Sequence, residues 1–212
     1  MRYDLHVHSE FSRCSNLKPK DILRIAKLRG LDGIAITDHN SIEGAVLARK
    51  LNKDKNFEVI IGEEIDTEFG HVLAYYLNKT IAPGYLLDIL DSARSQGAIV
   101  ALAHPFDFFR ESFPTGVIIS LRTKLDAVEV FNSRSLLPIF NRKAFELASE
   151  LSLAKIAGSD AHFSYEIGRS VTLFDSNLRT AIRNRKTKVS GSAIFAPFGI
   201  LQTFLHRNIG IL

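Results

Sequence analysis

The sequence predicts an α/β domain in which a parallel sheet is wrapped by helices, and three observations carry that reading. Short apolar runs bounded by polar or turn residues recur along the chain, segments with helical spacing separate most of them, and most of the runs are apolar on both faces. Whether such a sheet is open and doubly wound or closed into a barrel is left undecided by the pattern alone.

The elements follow in order. Tyr3 to His8 forms the first strand, and Ile22, Ile25, Ala26 and Leu28 keep helical spacing after Lys18-Pro19, with Pro19 suited to a first helical turn and Gly30 to a terminator. Asp32 to Thr37 is the second strand, followed by a helix from Ile42 to Leu51. Val59 to Ile65 and Val72 to Leu77 are the next two strands, and a helix from Tyr85 to Arg94 ends before Gly97. Ala98 to His104 and Ala127 to Phe131 are strands, Ile139 to Leu151 is helical, and Lys155 to Gly158 and Ser170 to Phe174 complete the set. The basic run Arg179, Arg183, Arg185, Lys186 and Lys188 reads as the outer face of a helix and its exit loop. Ser9-Glu10-Phe11-Ser12 follows the first strand where a dinucleotide fold needs a glycine-rich turn, so a Rossmann cofactor site has little support.

A length of 212 residues, 46% of them hydrophobic and 24% charged, suits one domain over residues 1–212. A formal charge of +4 leans toward a phosphorylated partner. Cys14 is the single cysteine, so no intramolecular disulfide forms, and Met1-Arg2-Tyr3-Asp4 opens without the apolar region of a secretory signal; a cytoplasmic protein is expected. The apolar stretch from Ser192 to Phe204 is broken by Pro197 and Gly199 and falls short of the roughly 20 residues that span a bilayer.

Six of the seven histidines, His6, His8, His39, His71, His104 and His162, fall at or just beyond the ends of the predicted strands, and only His206 does not. In a parallel barrel the strand ends converge on one rim, so ligands remote in sequence become neighbours. Residues two apart on a strand point to the same face, which lets His6 and His8 reach one ion. Asp38, Glu64 and Asp160 occur in the same neighbourhoods, and imidazole with carboxylate favours zinc, manganese or iron. The set is too large for one ion and sufficient for two or three, with Glu64 able to bridge. Such clusters serve hydrolysis by a metal-activated water.

The strings His6-Val7-His8, Thr37-Asp38-His39, Gly62-Glu63-Glu64, Gly70-His71, Ala103-His104-Pro105 and Ser159-Asp160-Ala161-His162, in that order, resemble the polymerase and histidinol phosphatase (PHP) family over residues 3–175, leaving 176–212 as a helical and loop extension. The resemblance implies a distorted seven-stranded (β/α)7 TIM-like barrel and a metal-dependent phosphoesterase with no catalytic residue beyond the metal-activated water. It implies one ion on His6, His8, Glu64 and Asp160, a second on Glu64, His71 and His104, and a third on His39 and His162. The family often supplies an aspartate to the third ion from the loop after the first strand; here that loop reads Ser12-Arg13-Cys14-Ser15, and Cys14 is the expected substitute. Asp38 is expected to orient a neighbour and Glu63 to lie outside the site.

Arg134 and Arg110, each in a loop after a rim strand, are candidate phosphate clamps. The substrates implied are nucleotides or short oligonucleotides. The alternatives are a histidinol-phosphatase-type enzyme acting on small phosphate esters, a non-catalytic RNA-binding barrel subunit, and an amidohydrolase, which would need a bridging lysine where this chain has Glu64.

Overall fold

Every predicted apolar run becomes a strand in the computed structural model, which describes residues 1–110 and 112–193. In chain order the elements are β1 (Arg2–Val7), α1 (Pro19–Leu28), β2 (Gly33–Ile36), α2 (Glu43–Leu51), β3 (Glu58–Asp66), β4 (His71–Tyr75), α3 (Leu86–Ser95), β5 (Ile99–Leu102), α4 (Thr115–Leu121), β6 (Ala127–Asn132), α5 (Pro138–Glu150), β7 (Ala154–Gly158), β8 (Ser170–Leu173), α6 (Leu178–Arg183) and β9 (Lys188–Gly191). His206 and most of the stretch from Ser192 to Phe204 lie outside the described residues. Two elements have weak sequence signals. The helix α4 is rich in β-branched Val117, Ile118 and Ile119, which disfavour helix, and β9 is an edge strand whose only large apolar residue is Val189. Lys188, expected in an exit loop, therefore stands in a strand.

The strand order is β7-β6-β5-β4-β3-β2-β1-β8-β9. The parallel expectation holds for β1, β2 and β3 and again for β5, β6 and β7, but β4 runs antiparallel to both its neighbours, and β8 and β9 are antiparallel as well. The reason is connection length. Only Thr67 to Gly70 separates β3 from β4, closed by the Thr67 N–H to Gly70 carbonyl bond at 2.8 Å, and no crossover fits in that span.

The seven strands β1 to β7 form a nearly closed barrel, with closure made by backbone rather than by a full ladder. The Asp160 N–H donates to the His6 carbonyl at 2.7 Å and the His8 N–H to the Ala161 carbonyl at 2.9 Å. At the other end β8 is wedged beside β1, and the Ala157 N–H donates to Thr172 Oγ1 at 2.8 Å. The closure needs a glycine at 158, because a Cβ there would lie 2.2 Å from His6 Cβ.

Helices and outer strand faces share one apolar cluster, including Ile22, Ala26, Ile34, Ile36, Ile89, Leu90 and Val128. The barrel interior holds another, with Leu5, Ala35, Ile60, Leu73, Tyr75, Ala101, Ala127 and Ile156. Each fully buried Leu or Ile contributes roughly 1.5–3 kcal/mol. Leu5 and His6 both reach the interior although they are sequence neighbours. The register of β1 against β2 shifts between Asp4 and Val7, an irregularity that re-aims side chains. Above the apolar layer, at one rim, the interior turns polar. Among the described residues no helix is long and apolar enough to cross a membrane.

Candidate metal centre

Glu64 stands at the middle of the polar layer, 1% exposed, and its two oxygens face two groups of imidazoles. Oε2 lies 3.3 Å from His6 Nε2, 3.2 Å from His8 Nε2 and 3.4 Å from His39 Nε2. Oε1 lies 3.2 Å from His71 Nδ1 and 3.1 Å from His104 Nε2. Asp160 Oδ1 is 3.2 Å from His8 Nε2 and 3.7 Å from His6 Nε2. The reversal of β4 explains why His71, its first residue, reaches the same rim as residues at the ends of the parallel strands. Asp160 and His104 have positive φ, 56° and 28°, a costly conformation for non-glycine residues that recurs at functional sites.

The imidazoles are oriented from behind. Glu129 Oε1 lies 2.9 Å from His6 Nδ1, and its Oε2 accepts from the His104 N–H at 2.9 Å and from Asn132 Nδ2 at 3.0 Å. Ser12 Oγ is 3.3 Å from His8 Nδ1 and donates to Asp38 Oδ1 at 2.9 Å, while Asp38 also accepts from the Ser9 N–H and hydroxyl, each at 2.6 Å. Asp38 thus anchors the loop that backs His8. His162 Nδ1 is 2.8 Å from the Asp160 carbonyl.

Cys14 is buried, and a ligand atom from it, from His8 and from His162 lie within 4.8 Å of one another. His39, Asp66 and His71 likewise bring ligand atoms within 4.8 Å of one another. Burial works to raise the Cys14 thiol, but the imidazoles of His162 and His8 outweigh it and hold the group well below its ordinary pKa. Burial likewise opposes charge on His6, yet the carboxylates of Glu129, Glu64 and Asp160 lift it to about 10. For Glu64, the neighbouring His39, His6 and His71 overcome burial and hold the carboxyl well below the usual range.

The two arginines part ways. Arg110 reaches inward: Nη1 donates to Asp160 Oδ2, Nη2 to Asn132 Oδ1 at 3.3 Å, and Nε to Asp107 Oδ2 at 3.2 Å. Arg134 is 4% exposed and its Nη1 donates to both oxygens of Glu166 at 2.8 and 3.0 Å. Glu166 in turn accepts from the His162 N–H at 2.7 Å, so this pair braces the loop carrying His162. Glu63 lies on the opposite face of β3 from Glu64, with Oε2 accepting from the Ile81 N–H at 3.0 Å. Sequence reasoning missed Glu129, Asn132, Asp66 and Glu166. Two had a signal: Glu129 is the lone acid in the run Ala127 to Phe131, and Asp66 stands two residues after Glu64, on the same strand face.

Comparison with known proteins agrees with this picture. Residues 138–187 match the model of a family described as PHP-associated. The uncharacterized protein MJ0417 of Methanocaldococcus jannaschii is 40% identical over 179 residues, 82% of this chain and 70% of that one. A two-domain protein of Bacteroides vulgatus, described as containing a predicted PHP-like metal-dependent phosphoesterase, superposes with a TM-score of 0.75 at 24% identity over 91% of this chain, which spans 65% of that protein. The lesion-specific endonuclease PfuEndoQ of Pyrococcus furiosus has the same fold at a TM-score of 0.60 and 16% identity, over 89% of this chain and 58% of that one. A family match within the chain, a close archaeal relative and a shared barrel lead to one conclusion: the chain belongs to the PHP family.

Proposed function

We propose that this protein is a metal-dependent phosphoesterase that hydrolyses phosphate esters, with nucleotides or short oligonucleotides as substrates. The observation that carries the reading is the fork at Glu64, one carboxylate whose two oxygens face separate sets of imidazole nitrogens. The donors fit divalent cations. His6 Nε2 and His8 Nε2 face each other at 3.2 Å, an approach suited to two lone pairs only with a proton or a cation between or beside them. His71 Nδ1 is buried and 3.2 Å from Glu64 Oε1, yet it has no hydrogen-bond partner among the described residues.

His6, His8, Glu64 and Asp160 would hold one ion, and Glu64, His71 and His104 a second. A third would lie on His39, His162 and Cys14. Zinc, manganese or iron suits this mixture of nitrogen, oxygen and sulfur. When bound, such ions acidify water and stabilise charge developing on phosphate oxygens. Glu129 and Asp66 hold the rings of His6 and His39, and Asp38 fixes Ser12, which backs His8. Arg110 offers guanidinium donors to a phosphate at the rim, and Arg134, held by Glu166, positions the His162 loop. The endonuclease among the structural neighbours supports a nucleic-acid substrate by analogy of fold.

The test is metal analysis of the purified protein followed by a screen against phosphate monoesters and diesters. The reading expects bound metal and turnover, both lost in His6→Ala and Asp160→Ala with the fold retained. A metal-replete protein inert toward every ester, or one that binds RNA without cleaving it, overturns it.

A further inference from the structure

Phe108 and Phe109 stand on a three-residue 3₁₀ turn, Phe108–Arg110, that follows the rim position of His104. They are 61% and 59% exposed. Two adjacent rings left largely in water offer a flat apolar surface beside the rim. The rings are held in place. Phe108 lies 4.3 Å from Phe109 and 5.2 Å from Phe140 between ring centroids, the second contact edge-on at 79°, and Phe140 is buried in the first turn of α5. Asp107, itself buried, accepts from the Phe109 N–H at 3.3 Å and from Arg110 Nε, and its carbonyl accepts from the Arg110 N–H at 2.9 Å. The same turn therefore sends Arg110 inward to Asp160 and Asn132 while it presents two aromatic rings at the surface.

We infer that Phe108 and Phe109 form a stacking platform for the nucleobase of a substrate whose phosphate lies at the Glu64 centre beside Arg110. This rests on the phosphoesterase reading and narrows it to base-bearing esters. A sugar phosphate or other small aliphatic ester brings an anion but no flat apolar surface. A nucleotide brings both, and the turn that carries the rings also carries Arg110, which reaches Asp160. Stacking on aromatic side chains accepts any base, because every base has a π-face, so the platform selects nucleotides without selecting a sequence.

Two short oligonucleotides, identical except that one lacks its terminal base, test the proposal. Wild-type protein should cleave the base-bearing strand with kcat/KM about five- to a hundredfold above the abasic one. In Phe108→Ala/Phe109→Ala the ratio should collapse toward one, and Phe108→Tyr/Phe109→Tyr should restore it. A second readout needs no turnover. The emission of a terminal 2-aminopurine should be quenched on binding to wild type and to the Tyr variant but not to the Ala variant, with metal content equal in all three. An unchanged ratio in the Ala variant, or equal quenching in all three proteins, overturns the platform. Quenching that depends on the phenylalanines without cleavage of any ester retains the platform and overturns the phosphoesterase reading instead. Loss of quenching that tracks protein concentration would assign the rings to a contact between copies of this chain, which also overturns it.

Discussion

Glu129 Oε1 sits 2.9 Å from His6 Nδ1, with both side chains wholly buried, so the far side of the imidazole is committed and Nε2 is aimed at Glu64. Removing such a backing carboxylate typically costs ten- to a hundredfold in metal affinity. Glu129→Gln should therefore weaken metal binding by about that factor while every direct ligand remains. Competition with a chelator measures it, and circular dichroism checks that the barrel persists.

Cys14 should tune which metal is held. A thiolate is a softer donor than a carboxylate, and His8 and His162 favour its ionised form. Cys14→Asp should shift preference from zinc or ferrous iron toward manganese, and Cys14→Ser should deplete one position while the His6, His8, Glu64 and Asp160 position stays filled. Identical metal content and selectivity in all three proteins would make Cys14 a packing residue.

The two arginines should fail differently. Arg110→Ala removes charge-assisted donors at the rim and should lower kcat/KM by about ten- to a hundredfold. Arg134→Ala leaves Glu166 buried without that partner, and breaking a buried pair costs about 3–5 kcal/mol. Its signature is a fall in Tm and a lower urea midpoint. Kinetic loss without destabilisation in Arg134→Ala would return that residue to substrate binding.

Glu63 gives the fold a pH dependence separate from activity. Burial pushes its carboxyl from 4.5 up to about 7, and Oε1 has no hydrogen-bond partner among the described residues. The unfolded chain loses this proton near its ordinary pKa and the folded chain only near 7. The group therefore subtracts stability progressively as pH rises through that window, and by a constant amount above it. Glu63→Gln keeps an acceptor for the Ile81 N–H and removes the titration. Its Tm should exceed that of wild type by a few degrees at pH 8, about what 1 kcal/mol moves a domain this size, and the gain should vanish near pH 4. An equal difference at both pH values would refute the assignment.

The positions of the strands were legible because buried strands are written in apolar side chains, and the cluster of imidazoles at the rim because histidines recur at strand ends. The reversal of β4 was legible in principle from the four residues between Asp66 and His71, too few for a crossover. The pairing of Arg134 was not: Glu166 lies 32 residues away, and nothing local distinguishes an arginine that meets a buried acid from one that meets a phosphate. β9 was hidden for another reason. An edge strand with both faces partly wet carries almost no apolar signal, and only its pairing with β8 defines it.

Closure of the barrel by residues 158–161 against β1 also sets an order of events during synthesis. The Ser159 N–H donates to Asp4 Oδ1 across 155 residues, among the longest loops this chain can close, and pairing across such a separation pays a large loop-closure entropy. During synthesis His6 and His8 emerge long before Asp160, which joins them only when most of the barrel has been made. The cluster of His6, His8, Glu64 and Asp160 is thus assembled only by closure of the barrel, and no shorter piece of the chain contains it.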